Sequence, residues 1–154
     1  MSSATEQLAA LGLTLPAVTA PVAAYVPAVR TGSYVYVSGQ LPVVDGKLLA
    51  TGKVGDAVSA QDAAGLARTC ALNALAAAAE AAGGLDAIVR IVKVLGFVAS
   101  APGFNGQPQV VNGASELLIE VFGEAGRHAR SAVGVAELPL DAPVEVELIA
   151  EVRA

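Results

Sequence analysis

Apolar positions recur along the chain either every second residue or every third to fourth, and the switches between the two periods mark out the elements. Ser2 or Ser3 can cap a short helix running to about Leu11, with Leu8 and Leu11 on its apolar side and Gly12 ending the pattern. A proline-punctuated extended stretch follows, up to Pro21. The Val- and Tyr-rich runs Tyr25 to Val29 and Tyr34 to Gln40, separated by Arg30-Thr31-Gly32-Ser33, predict a hairpin. Asp45-Gly46 marks another turn inside a loop or small hairpin from Leu41 to Gly55. Ser59, with Asp62 three residues on, opens an alanine- and leucine-rich helix that Gly83-Gly84 closes. Ile88 to Val98 is β-branched and continuously apolar, as a strand buried on both faces would be. Pro102 to Pro108 reads as a loop. Val110, Ala114, Leu117, Leu118 and Val121 share one face of a second long helix, which Gly123 ends. Two strands follow, Arg130 to Glu137 and Val144 to Val152. In the last, Val144, Val146, Leu148, Ala150 and Val152 alternate with Glu145, Glu147, Ile149 and Glu151, so one side meets a core and the other is wetter.

The order β-β, α, β, α, β-β predicts an α+β fold in which two main helices cover one face of a mixed or antiparallel sheet. With 154 residues and no linker-like tract, a single domain over 1–154 is expected, residues 1–20 forming an N-terminal helical extension. Hydrophobic residues make up 55% and charged ones 15%, with a mean hydropathy of +0.61, more apolar surface than a small monomer hides. Self-association is therefore predicted. Prolines and glycines interrupt the long uncharged stretches Gln7 to Val29 and Val94 to Ser115, so neither reads as a membrane span. No Lys or Arg precedes Arg30, which removes the basic start of a secretory signal and makes the cytoplasm the expected compartment. A formal charge of −5 disfavours a nucleic-acid partner.

The chain has no phosphate-cradling glycine loop, no Gly-x-Ser-x-Gly elbow and no metal-ligand spacing. One cysteine, Cys70, and one histidine, His128, fall short of a zinc cluster, and Cys70 reads as a small core residue; no cofactor is expected. The chemistry must come from polar residues at the ends of apolar elements: Tyr25, Ser38, Asn112, His128, Arg130 and Glu145. Arg130 stands beside Arg127 and His128, a cationic cluster in an acidic chain. Its fork suits bidentate binding of a planar carboxylate and stays charged when partly desolvated. On the residues alone, an exposed strand-end arginine fits as well. Glu145 fits a solvated row with Glu147 and Glu151; buried near Arg130 it could hold a water or exchange a proton. His128, in Gly-Arg-His-Ala, reads as a surface residue with no catalytic role. Tyr25 fits a core tyrosine and Asn112 a helix-start cap, or both a binding role.

Together, Ala24-Tyr25-Val26, Tyr36-Val37-Ser38-Gly39-Gln40-Leu41-Pro42, Leu72-Asn73 with Glu80-Ala81-Ala82-Gly83, Val111-Asn112, Ala129-Arg130-Ser131-Ala132-Val133, Leu138-Pro139 and Val144-Glu145-Val146-Glu147 form an ordered set. The chain resembles the RidA/YjgF family of reactive-intermediate deaminases, also described as translation inhibitors or endoribonucleases. The resemblance implies a chorismate-mutase-like fold and a homotrimer whose pockets lie between neighbouring subunits. It also implies hydrolysis of enamine and imine acids such as 2-aminoacrylate to 2-keto acids and ammonia, without metal or organic cofactor. By the same resemblance Arg130 clamps the substrate carboxylate, Glu145 places the attacking water, and Tyr25, Ser38, Gly39 and Asn112 line the site. The extension before Tyr25, the longer Leu41 to Gly55 segment and an insertion around Asn105 to Gln109 fit a longer, less characterised branch, and Ala132 stands where the better-characterised members often have cysteine. The alternatives are a non-catalytic trimer, sensor or chaperone-like, binding a 2-keto acid in the same pocket, and an endoribonuclease, against which the acidic balance argues.

Overall fold

A computed structural model describes every residue except Thr19 and Val22. Thr19 falls within the extended stretch expected before Pro21, and that part of the expectation lies outside the described residues.

Helix α1 (Ala4–Ala10) starts on a reciprocal cap: the Ser3 hydroxyl accepts the Glu6 N–H, and the Glu6 carboxylate accepts the Ser3 N–H at 2.8 Å. Among the described residues of the extension only α1 is helical, because Gly12 turns left-handed and Pro16 cannot donate to a helical ladder. The first hairpin, β1 (Ala28–Thr31) with β2 (Tyr34–Val37), turns on Gly32-Ser33 and begins later than the sequence suggested, leaving Tyr25 in a bend. Strand β2 also stops before Gln40. The chain bulges at Ser38-Gly39, and Gln40 re-pairs as an isolated bridge to Val146. A small hairpin, β3 (Val43–Val44) and β4 (Lys47–Leu48), turns on Asp45-Gly46 and is tied to the next helix by the Asn73 amide, which donates to the carbonyls of Leu41 and Val43 at 3.1 and 3.0 Å.

Helix α2 (Ala60–Ala82) is capped by Ser59 and ended by left-handed Gly83. Then come β5 (Ile88–Ala99), α3 (Gln107–Phe122), β6 (Ala129–Val135) and β7 (Val144–Val152). Helix α3 starts within the expected loop, since Pro108 sits in the first turn, where its missing N–H is not needed. Strand β6 runs one residue earlier than expected and ends two earlier.

The sheet order is β1-β2-β7-β5-β6, antiparallel except for β5 with β6, whose parallel connection carries α3. Helices α2 and α3 pack together on one face. Gly113 lets them close, since a Cβ there would lie 1.8 Å from the Ala64 carbonyl oxygen. Leu75, Ile91, Leu117, Leu118 and Leu148 are fully buried between helices and sheet, each worth about 1.5–3 kcal/mol relative to an exposed side chain. Strand β5 is not buried on both faces. Ile91, Val94 and Val98 meet the helices, while Val89 is exposed and Leu95 and Phe97 are half-buried on the face the helices leave open. Val29, Tyr34, Tyr36 and Val133 share that open face and are also exposed. No helix among the described residues is long and apolar enough to cross a membrane.

Candidate functional site

Register decides where the predicted residues point. Arg130 pairs with Val94 and Val94 with Leu148, a row whose apolar members are buried under the helices. Arg130 therefore rises from edge strand β6 towards α3. Val133 pairs with Phe97 and Phe97 with Glu145, a row three residues further along β5 and on the open face. Within one chain, Arg130 and Glu145 belong to opposite faces of the sheet, and the expected pair is not brought together.

Around Arg130 the partners are neutral oxygens. Nη1 donates to Asn112 Oδ1 at 2.8 Å and to Ser115 Oγ at 3.3 Å, and Nη2 donates to the Pro108 carbonyl at 3.4 Å. None of the ion pairs among the described residues includes it; Arg127 is drawn instead to Glu124 at 3.1 Å. Asn112 is exposed and lies a full turn into α3, so it caps nothing and spends its side-chain carbonyl on Arg130.

His128 is not a surface residue. It is half-buried behind this cluster, with Nε2 2.8 Å from Ser115 Oγ and Nδ1 2.6 Å from the Gly126 carbonyl oxygen. Burial lowers its pKa and the Arg130 charge adds to that, opposed by the bond to Gly126, so the ring is neutral at pH 7. Sequence reasoning passed over Ser115. Its signal was available: it falls one turn after Val111 and three residues before Leu118, among the buried positions of α3.

The second cluster gathers at the bulge after β2. A Cβ on Gly39 would lie 2.1 Å from Glu145 Oε1, so any side chain there would have to push that carboxylate aside. The Ser38 hydroxyl donates to the Val26 carbonyl at 2.7 Å and pins the segment carrying Tyr25 to the end of β2. Tyr25 itself is 56% exposed, so it is no core residue. Burial raises the Glu145 carboxyl pKa, with Glu147 contributing in the same direction. The chain thus holds two separate groups: Asn112 with Arg130, and Ser38, Gly39 and Glu145 with Tyr25 on the adjoining segment.

Two clefts lie elsewhere. One of about 410 Å³ separates Leu15–Val18 from the C-terminal end of α2, and one of about 240 Å³ adjoins it at Pro27 and Ala81. Neither is lined by Arg130 or Glu145; both are open and lined mostly by apolar residues, with the Glu80 carboxylate on each.

A mixed five-stranded sheet covered on one face by two long helices, in this strand order, defines an α+β protein of the chorismate-mutase-like class. The chain belongs to the YjgF/RidA family: the family model described as YjgF/chorismate mutase-like, putative endoribonuclease, matches residues 5–152. Protein TCP17 of Trypanosoma cruzi is 46% identical over 93% of this chain and 90% of its own length. The crystal structure of Atu1372 from Agrobacterium tumefaciens, a protein of unknown function, is 47% identical with a TM-score of 0.90, covering 99% of this chain and 94% of that one. Escherichia coli TdcF, solved with bound serine, is 30% identical with a TM-score of 0.65, covering 89% of this chain and 94% of its own.

Proposed function

We propose that the protein hydrolyses small enamine or imine acids, such as 2-aminoacrylate, to 2-keto acids and ammonia, with Arg130 binding the carboxylate and Glu145 handling the water. The observation that carries this reading is a half-buried guanidinium oriented by three neutral oxygens and, among the described residues, paired with no carboxylate. A partly desolvated charge held that way has geometry to offer an incoming planar anion. The serine bound to TdcF, a small molecule with such a carboxylate, supports the same ligand class.

The chemistry needs little machinery. A proton from solvent adds at the terminal carbon and turns the enamine into the protonated imine; water then adds at the carbon bearing nitrogen, and the C–N bond breaks to leave the 2-keto acid and ammonia. Glu145 takes a proton from the water and returns one to the departing nitrogen, work suited to a carboxyl whose pKa is raised by burial. Because one chain sets Arg130 and Glu145 on opposite faces, we assign the complete site to two copies within a homotrimer. Arg130 and Asn112 come from one copy, and Tyr25, Ser38, Gly39 and Glu145 from its neighbour. The apolar open face supports self-association.

In a coupled assay with freshly generated 2-aminoacrylate, the wild type accelerates ammonia release and Arg130→Ala lowers kcat/KM by roughly 100-fold, the worth of charge-assisted bonds to a carboxylate. A wild type that gives no acceleration contradicts the reading. One observation favours a second reading, a carboxylate-binding sensor or chaperone-like trimer: His128, a titratable group beside Arg130, has both ring nitrogens engaged. Calorimetry with 2-ketobutyrate, run beside the assay, favours that reading if it finds binding without turnover.

A further inference from the structure

Ser115 is a buried polar side chain, 9% exposed, on the core stripe of α3. Left unpaired there, a hydroxyl would cost about 1–3 kcal/mol. It is paired on both sides, with Arg130 Nη1 at 3.3 Å and His128 Nε2 at 2.8 Å.

The direction of this relay is set from its far end. The Gly126 carbonyl can only accept, so His128 Nδ1, 2.6 Å away, must donate to it. In the neutral ring Nε2 is then the acceptor. The Ser115 hydroxyl gives its proton to Nε2, which turns its lone pairs towards Arg130. Gly126 is itself locked in place, since a Cβ there would lie 2.2 Å from the Leu118 carbonyl oxygen of α3. The relay therefore starts from backbone packed directly on the helix that also supplies Asn112 and Ser115.

We propose that His128 is a positioning residue for Arg130, holding the Ser115 hydroxyl as an acceptor so that the guanidinium is fixed in one plane before a ligand arrives. This rests on the carboxylate-binding reading of Arg130. It also accounts for a histidine directed at an arginine, an arrangement that only a neutral ring tolerates. The other charges nearby do not offset a second cation: Arg127 is turned to Glu124, and Arg90 donates to the Arg127 carbonyl at 3.3 Å. A guanidinium restrained through Ser115 loses less freedom when a carboxylate docks, so the effect falls on binding first.

His128 is the only histidine in the sequence, so ring ¹⁵N NMR of the full-length protein needs no assignment. At pH 7 the spectrum should show the neutral Nδ1–H tautomer, and Ser115→Ala should shift the Nε2 signal. An Nε2–H tautomer, or an averaged mixture of the two, overturns the proposal. Calorimetry with pyruvate then measures the consequence. Ser115→Ala and His128→Phe should each weaken binding roughly fivefold, the worth of one orienting hydrogen bond. The double variant should be no worse than either single, and His128→Gln, whose amide oxygen can still accept from Ser115, should recover part of the loss. Wild-type affinity in both single variants, or losses that multiply in the double, also overturns the proposal. If the wild type binds no pyruvate, the carboxylate reading fails, and the tautomer still decides whether the relay exists.

Discussion

At the scale of single residues, Arg130 and Glu145 are held by opposite means. The half-buried Arg130 guanidinium is held by three neutral oxygens. Glu145 sits against Gly39, with burial and Glu147 both disfavouring its ionised form. A carboxyl whose folded pKa is raised binds its proton more tightly folded than unfolded. Its contribution to stability is then fully present below the ordinary glutamate range and is lost as pH rises through the folded pKa. Glu145→Gln removes that loss. The variant should melt higher than the wild type at pH 7 and close to it at about pH 4, near the unfolded glutamate pKa. Equal melting temperatures at both pH values would show that the carboxyl is not under strain. The same exchange removes the proposed base, so ammonia release should fall while stability rises, a trade expected of residues placed for chemistry rather than for folding.

At the scale of elements, the α2–α3 crossing depends on one glycine and is indifferent to another. Alanine is the better helix former by about 1 kcal/mol, and Gly65, with nothing within 4 Å of its Cβ position, should show that gain. At Gly113 the same methyl would meet the Ala64 carbonyl at 1.8 Å, and overpacking of that kind costs about 1–3 kcal/mol even after relaxation. Thermal melts should therefore move in opposite directions, Gly65→Ala up and Gly113→Ala down by several degrees; a stabilised Gly113→Ala would contradict the crossing. Helix α2, the core of α3 and strand β7 were legible in the sequence, because caps and periodicity are local. The first hairpin was displaced because Pro27 and the Ser38-Gly39 bulge shift pairing without changing the apolar alternation. His128 was misread because its loop, polar in sequence, is folded back by contact between Gly126 and α3, residues that only the tertiary fold brings together.

At the scale of the whole molecule, what the sequence could not reveal is which face each side chain takes relative to the rest. Arg130 and Glu145 each begin or lie in an apolar strand, and the family resemblance joins them in one site. The parallel pairing of β6 with β5 and the antiparallel pairing of β7 with β5 put them on opposite faces. Strand order is a long-range property, and no local period encodes it. The continuous apolarity of β5 carries the same message. Its side chains away from the helices, Val89, Leu95 and Phe97, lie on a surface that a lone chain leaves partly in water. The central claim is that a working site takes Arg130 from one copy and Glu145 from another. Subunit mixing tests it most directly: Arg130→Ala and Glu145→Gln proteins, each inactive and each confirmed as a trimer by light scattering, are unfolded together and refolded at equal amounts. Random assembly should pair the intact Arg130 of one with the intact Glu145 of the other at about one site in four, restoring roughly a quarter of wild-type ammonia release. A mixture that assembles into trimers and stays inactive would contradict the shared site.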